Sequence, residues 1–135
     1  MIHKPCKRAA MPPRPLALLA AVGLLAAASA AEAHHAFAMY DNAKYVPLTG
    51  TVKAYVWRNP HAMIDFVASD GKGGTVAWTV ECSSPNIIGR KGWNAQSLKA
   101  GDKVSMTVHP MKDGRNIALM VSVTTPAGQV LKDKD

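Results

Sequence analysis

Thr75-Val76-Ala77-Trp78-Thr79-Val80-Glu81-Cys82 runs directly into Ser83-Ser84-Pro85-Asn86-Ile87-Ile88-Gly89, and the change of pattern between the two decides the fold class. In the first half, Val76, Trp78, Val80 and Cys82 fall on one side of an extended backbone and Thr75, Ala77, Thr79 and Glu81 on the other. Such a period of two marks a half-buried antiparallel strand. In the second half Ser84 suits a helix N-cap, Pro85 suits the first helical position, and Gly89 ends a helix of one or two turns.

Working outward, the same period recurs four more times. Upstream, Asp70-Gly71-Lys72-Gly73-Gly74 reads as a hairpin turn. Before it, residues 62–69 place Ala62, Ile64, Phe66 and Ala68 opposite Met63, Asp65 and Val67. Earlier still, residues 48–57 set Leu48, Gly50, Val52, Ala54 and Val56 against Thr49, Thr51, Lys53, Tyr55 and Trp57. Downstream of the helix, Gly92 and the turn Leu98-Lys99-Ala100-Gly101-Asp102 lead into residues 103–109, with Val104, Met106 and Val108 inward. Residues 117–124 follow, with Ile117, Leu119, Val121 and Val123 expected inward. Three strands, a short helix and two strands is the element order of the OB-fold, a five-stranded Greek-key barrel. A small sandwich would use the same strands. The closed barrel is preferred because closure removes the open edges that a chain without disulfides would otherwise expose. The expected class is therefore all-β with one short helix: an OB-like barrel over residues 48–126, an N-terminal arm over 34–47, and a short tail over 127–135, in which Gly128–Leu131 could add a short strand and Lys132–Asp135 should be solvated and loose.

The first 33 residues differ from the rest. They open with basic residues and no acid, continue as an apolar run from Leu16 to Ala30, and exit through Ala31-Glu32-Ala33. A charged start, a short apolar stretch and a small-x-small exit are the parts of a secretory signal. The apolar run falls short of the ~20 residues that span a bilayer, which favours cleavage after Ala33 over a retained anchor. A second exit, Ala28-Ser29-Ala30, would leave three extra residues before His34. The expected location is the periplasm or the exterior, with no membrane span after cleavage. The leader also distorts the composition. It carries four of the 16 basic residues and one of the nine acids, so the formal charge of +7 falls to +4 in the mature chain. That remainder is spread along the sequence, which with the exported location argues against a nucleic-acid partner. Cys6 leaves with the leader, so Cys82 stands alone and no internal disulfide can form.

Four histidines survive cleavage: His34, His35, His61 and His109. A cut after Ala33 would make His34 the first residue, whose free amine and imidazole could chelate one ion. His35 at position two could instead offer amine, amide nitrogen and imidazole. Nitrogen ligands of this kind favour Cu(II) over hard cations, so copper is the preferred ion. The plain alternative is a mobile arm with solvated histidines. His61 lies in Trp57-Arg58-Asn59-Pro60-His61, where Asn-Pro is turn chemistry but Arg58 and His61 are not explained by the turn. His109-Pro110 enters the loop between the last two strands, and in an OB barrel these two loops border one face. His34, His35, His61 and His109 are the candidate metal ligands; two partly exposed histidines at strand ends remain the plain reading of the last pair.

Tyr55 and Trp57, on the outward face of their strand with Arg58 beyond, form a candidate surface for a small ligand or a periplasmic protein, or packing for the arm. Cys82 shares the inward face and reads as a buried, inert thiol. There is no zinc-protease helix motif, nucleophile elbow, Cys-x-x-Cys or phosphate loop, so no catalytic residue can be named.

Several motifs taken together, namely His34-His35-Ala36-Phe37, Asn59-Pro60-His61, Gly92-Trp93 and Gly101-Asp102, resemble a domain-of-unknown-function family of short exported bacterial proteins. The resemblance implies export and a small β-rich domain, brings no established activity or cofactor, and places His34, His35 and His61 at signature positions. The leading expectation is a non-enzymatic exported binding module with a histidine-based metal site. The alternatives are a metal-free periplasmic adaptor using Tyr55, Trp57 and the Arg58–His61 loop, and a small enzyme of unidentified activity. Oligomeric state is left open by the sequence.

Overall fold

A computed structural model describes residues 37–134. The expected leader with its two expected exits, Cys6, His34 and His35 lie outside the described residues.

Among the described residues, six strands and the short helix after the third follow the predicted order: β1 (Val46–Val56), β2 (Met63–Ser69), β3 (Thr75–Glu81), α1 (Pro85–Ile88), β4 (Lys103–Pro110), β5 (Ile117–Thr124) and β6 (Val130–Lys132). Antiparallel pairing links β3 to β2, β2 to β1, β1 to β4 and β4 to β5. A parallel seam between β3 and β5, with Thr79 opposite Ile117 and Glu81 opposite Leu119, joins the ends. The result is a closed five-stranded barrel with OB-like strand order, as the element sequence predicted.

Local chemistry accounts for the elements. In the β2–β3 turn the Asp70 carboxylate accepts the amides of Lys72 and Gly74, both at 2.8 Å, while Gly71 and Gly73 take the positive φ that the turn requires. Ser84 and Pro85 open α1 as expected, and a 3₁₀ turn at Gly89–Lys91 extends it to Gly92. This helical segment delivers Ile88 and Trp93 to the core, which also contains Val52, Ile64, Phe66, Val80, Cys82, Val104, Met106, Val108 and Leu131. Gly50 stands where β1 lies tight against β2; a Cβ there would collide with the Val67 carbonyl.

Two bulges correct the expected strand faces. In β1, Val52 pairs with Phe66 but Ala54 pairs with Asp65, so Lys53 is an extra residue. Beyond it the alternation inverts: Ala54 and Val56 turn outward, and Tyr55, opposite the buried Ile64, turns inward with Trp57. In β5, Ser122 pairs with Thr107 and Met120 with Val108, leaving Val121 as the extra residue. Ala118 and Met120 therefore enter the core, while Ile117 and Leu119 lie on the outer surface in a second apolar cluster.

At the C-terminal end the possible short strand forms as β6, which pairs with β5 and sends Leu131 into the core. The segment after it differs from expectation: Asp133, expected to be solvated, is only 2% exposed. The arm, from Phe37 to Tyr45, lies against the barrel wall. Tyr40 bridges to Met111, the Asp41 amide donates to the Pro110 carbonyl at 2.8 Å, and the Lys112 amide donates to the Met39 carbonyl at 2.9 Å. Among the described residues no helix is long and apolar enough to cross a membrane.

Candidate functional site

The sheet register places a row of side chains across the outer surface of the barrel. Paired residues share a face, so His109 on β4, Leu119 on β5, Glu81 on β3 and Met63 on β2 follow one another. His61, two residues before Met63, lies on the same side. The arm runs along this row. Phe37 meets the His61 ring edge-to-face at 6.4 Å, Tyr40 covers Leu119, and Tyr45 meets the His109 ring at 4.7 Å.

Polar contacts concentrate at the His61 end. The Tyr40 hydroxyl donates to Glu81 Oε2 at 2.7 Å. Glu81 Oε1 stands 3.3 Å from His61 Nδ1, which also lies 3.2 Å from the Cys82 carbonyl. Both neighbours of Nδ1 are acceptors, so Nδ1 carries the hydrogen and donates. In the neutral ring this leaves the lone pair on Nε2, which makes no hydrogen bond among the described residues, on a side chain that is 34% exposed. Burial first, and then the Glu81 carboxylate, push the Tyr40 phenol upward against the opposing pull of Arg115. Tyr40 therefore stays a donor through the neutral range. The Lys134 ammonium sits over the Phe37 ring, 4.6 Å from its centroid.

The family of unknown function DUF6152 matches residues 20–120, well over half of the chain. The chain belongs to this family. No curated protein and no solved structure matches it.

In this DUF6152 member the predicted site residues separate. His61 stands in the Tyr40–Glu81–His61 system. His109 does not join it: two strand spacings of ~4.8 Å lie between the His109 and Glu81 backbones. The His109 ring is 4% exposed and its Nδ1 donates to the Lys44 carbonyl at 2.7 Å, an arrangement that ties down the arm. The two loops thus do not unite the two rings on common partners. Tyr55 and Trp57 do not form an outward platform either. They pack against the core beside Trp93, with the Tyr55 hydroxyl donating to the Asn94 carbonyl at 3.2 Å, and neither is a partner for the arm. Arg58 is exposed. Cys82 is buried as expected, and burial, followed by Asp133 and Glu81, pushes its thiol well up. Among the described residues no three His, Cys, Asp or Glu side chains gather as a metal-holding group.

Sequence reasoning missed Tyr40, Glu81 and Asp133 as members of one arrangement. Glu81 was legible as an outward residue at the end of β3, but nothing in its spacing pointed to Tyr40, which is 41 residues away. Only the arm's course over the barrel brings the two together.

Proposed function

We propose that this protein is an exported, non-enzymatic β-barrel binding module that takes a transition-metal ion, copper in preference, at histidine nitrogen. The carrying observation is the clamp on His61. Its Nδ1–H is held by a carboxylate and a backbone carbonyl, and its Nε2 is left as the available donor on a partly exposed ring. Metal-binding histidines are oriented in this way: the second nitrogen donates to a carboxylate or carbonyl, which fixes the tautomer and raises the basicity of the ligating nitrogen. Tyr40 extends the system by fixing Glu81. His34 and His35 are proposed as the further ligands on sequence grounds, through imidazole and, after cleavage at Ala33, the terminal amine. His109 is assigned a structural role.

An adaptor that docks through Tyr55 and Trp57 has less support, because the bulge at Lys53 turns both rings toward the core.

The test begins with the mature N-terminus by mass spectrometry, followed by Cu(II) and Zn(II) titration of that chain. Copper should bind more tightly than zinc, and His61→Ala should weaken copper at least about tenfold, within the range for loss of a ligand or its support. If the mature chain binds copper no more tightly than a His34→Ala, His35→Ala, His61→Ala variant, the metal reading is wrong.

A further inference from the structure

We infer that Asp133 and Lys134, the last two described residues, position the His61 ring from two sides and thereby set the tautomer and orientation of its free nitrogen. This inference deepens the proposed metal reading and depends on it only for the consequence, not for the positioning itself.

The first side runs through the backbone. Asp133 is a buried carboxylate whose Oδ2 accepts the Ser83 amide at 2.6 Å. Ser83 follows Cys82, whose carbonyl accepts His61 Nδ1–H. The same short segment is tied to the residue just before β2, the Cys82 amide donating to the Ala62 carbonyl at 2.8 Å. Fixing Ser83 therefore fixes the direction of the carbonyl that His61 uses.

The second side runs through the arm. Lys134 Nζ lies over the Phe37 ring at 4.6 Å, and Phe37 meets His61 edge-to-face. A cation on a ring face holds the ring in place. The His61 imidazole is thus bounded by Phe37, Glu81 and the Cys82 carbonyl.

Both residues are delivered as a unit. The amides of Asp133 and Lys134 donate to the carbonyl of the bulged Val121, at 2.8 and 3.2 Å. Lys91 Nζ donates to the Asp133 carbonyl at 2.6 Å, and the Trp93 indole N–H donates to the Lys132 carbonyl at 2.9 Å. One detail argues that Asp133 does more than add stability. Its Oδ1 is buried and has no hydrogen-bond partner among the described residues. A core carboxylate that serves one backbone amide and leaves an oxygen unpaired is a poor stabiliser, since desolvation of that oxygen is uncompensated. Its geometric effect is specific: it aims the 82–83 peptide.

The test is ¹⁵N NMR of the imidazole rings in metal-free protein, with rotating-frame contacts between Phe37 and His61, alongside Cu(II) titration of the same samples. Wild type should show His61 as a single Nδ1–H tautomer in contact with Phe37. Asp133→Ala should mix the tautomers, whereas Asp133→Asn, which keeps an acceptor for the Ser83 amide, should retain the wild-type ring. Lys134→Ala should weaken the Phe37–His61 contact, and Lys134→Arg, which keeps the cation over the ring, should restore it. Should Asp133→Ala fail to fold, the exposed-end pair Lys134→Ala and Lys134→Arg decides the matter. Wild-type ring shifts and contacts in every folded variant would overturn the inference. Ring shifts that move while wild type binds no copper would leave the positioning intact and remove the metal reading instead.

Discussion

Glu81 joins more of the site than any other residue, since its two oxygens face Tyr40 and His61 separately. Replacing it with alanine removes the acceptor for both. Cu(II) affinity should fall about 10- to 100-fold, the usual effect of losing the group that orients a ligating histidine, as read by competition titration. Cys82 supports a second prediction that does not involve metal. Its thiol is pushed well up in the folded state by burial, Asp133 and Glu81. Above about pH 9 the unfolded chain loses this proton and the folded chain keeps it, so the unfolded state binds fewer protons and stability must fall as pH rises. Urea midpoints measured from pH 7 to 10 should decline above about pH 9. Cys82→Ala should flatten that part of the slope, whatever it does to the midpoint at pH 7. Tyr40 and Tyr55, both raised first by burial, extend the decline to higher pH.

At the scale of elements, the bulges and the chain ends matter most. Lys53 re-aims the end of β1, so that Tyr55 and Trp57 close the barrel beside α1 and do not face solvent. Val121 does the same in β5, freeing Leu119 and Ile117 to receive the arm. Its carbonyl then takes the amides of Asp133 and Lys134, so the second bulge also seats the segment just after β6. That strand has only three residues, but it places Leu131 in the main core. Leu131→Ala should therefore cost about 2–5 kcal/mol, the range for truncating a buried leucine, measured by chemical denaturation. A value below ~0.5 kcal/mol, typical of a surface position, would mean that β6 is not a working part of the barrel. Periodicity reported the strands well because each face is half-buried, and a period of two is what half-burial selects. It could not report the bulges, since one extra residue leaves no mark in the pattern except an inversion that reads equally well as continued alternation. The expected inward set Ile117, Leu119, Val121 and Val123 was wrong for that reason in its first half.

For the whole molecule, closure is the governing fact. The β3–β5 seam removes the barrel's open edges, and since Cys82 is a free, buried thiol, the packed interior holds the described residues together. Gly50 lies in β1 directly against the Val67–Ala68 backbone of β2. Gly50→Ala should lower stability by about 1–3 kcal/mol, as expected when a packed site is overfilled, without changing the secondary-structure content seen by circular dichroism. A chain ended at residue 126, where the sequence alone would place the end of the barrel, should unfold at a lower urea concentration than the full chain, because it lacks Leu131 and the acceptor of the Trp93 indole. By itself the sequence determined the class, the strand and helix order, the turn at Asp70–Gly74, the start of α1, the main core and the inert setting of Cys82. These follow from local backbone preferences and from alternation that needs only one dry and one wet side. Only the tertiary structure decided that the arm covers the β4–β5 wall, that Tyr40 and Glu81 clamp His61 while His109 anchors the arm, and that Asp133 reaches Ser83. Those contacts join residues about 20 to 70 positions apart through bulges and loops, and no short-range periodicity records where such segments cross.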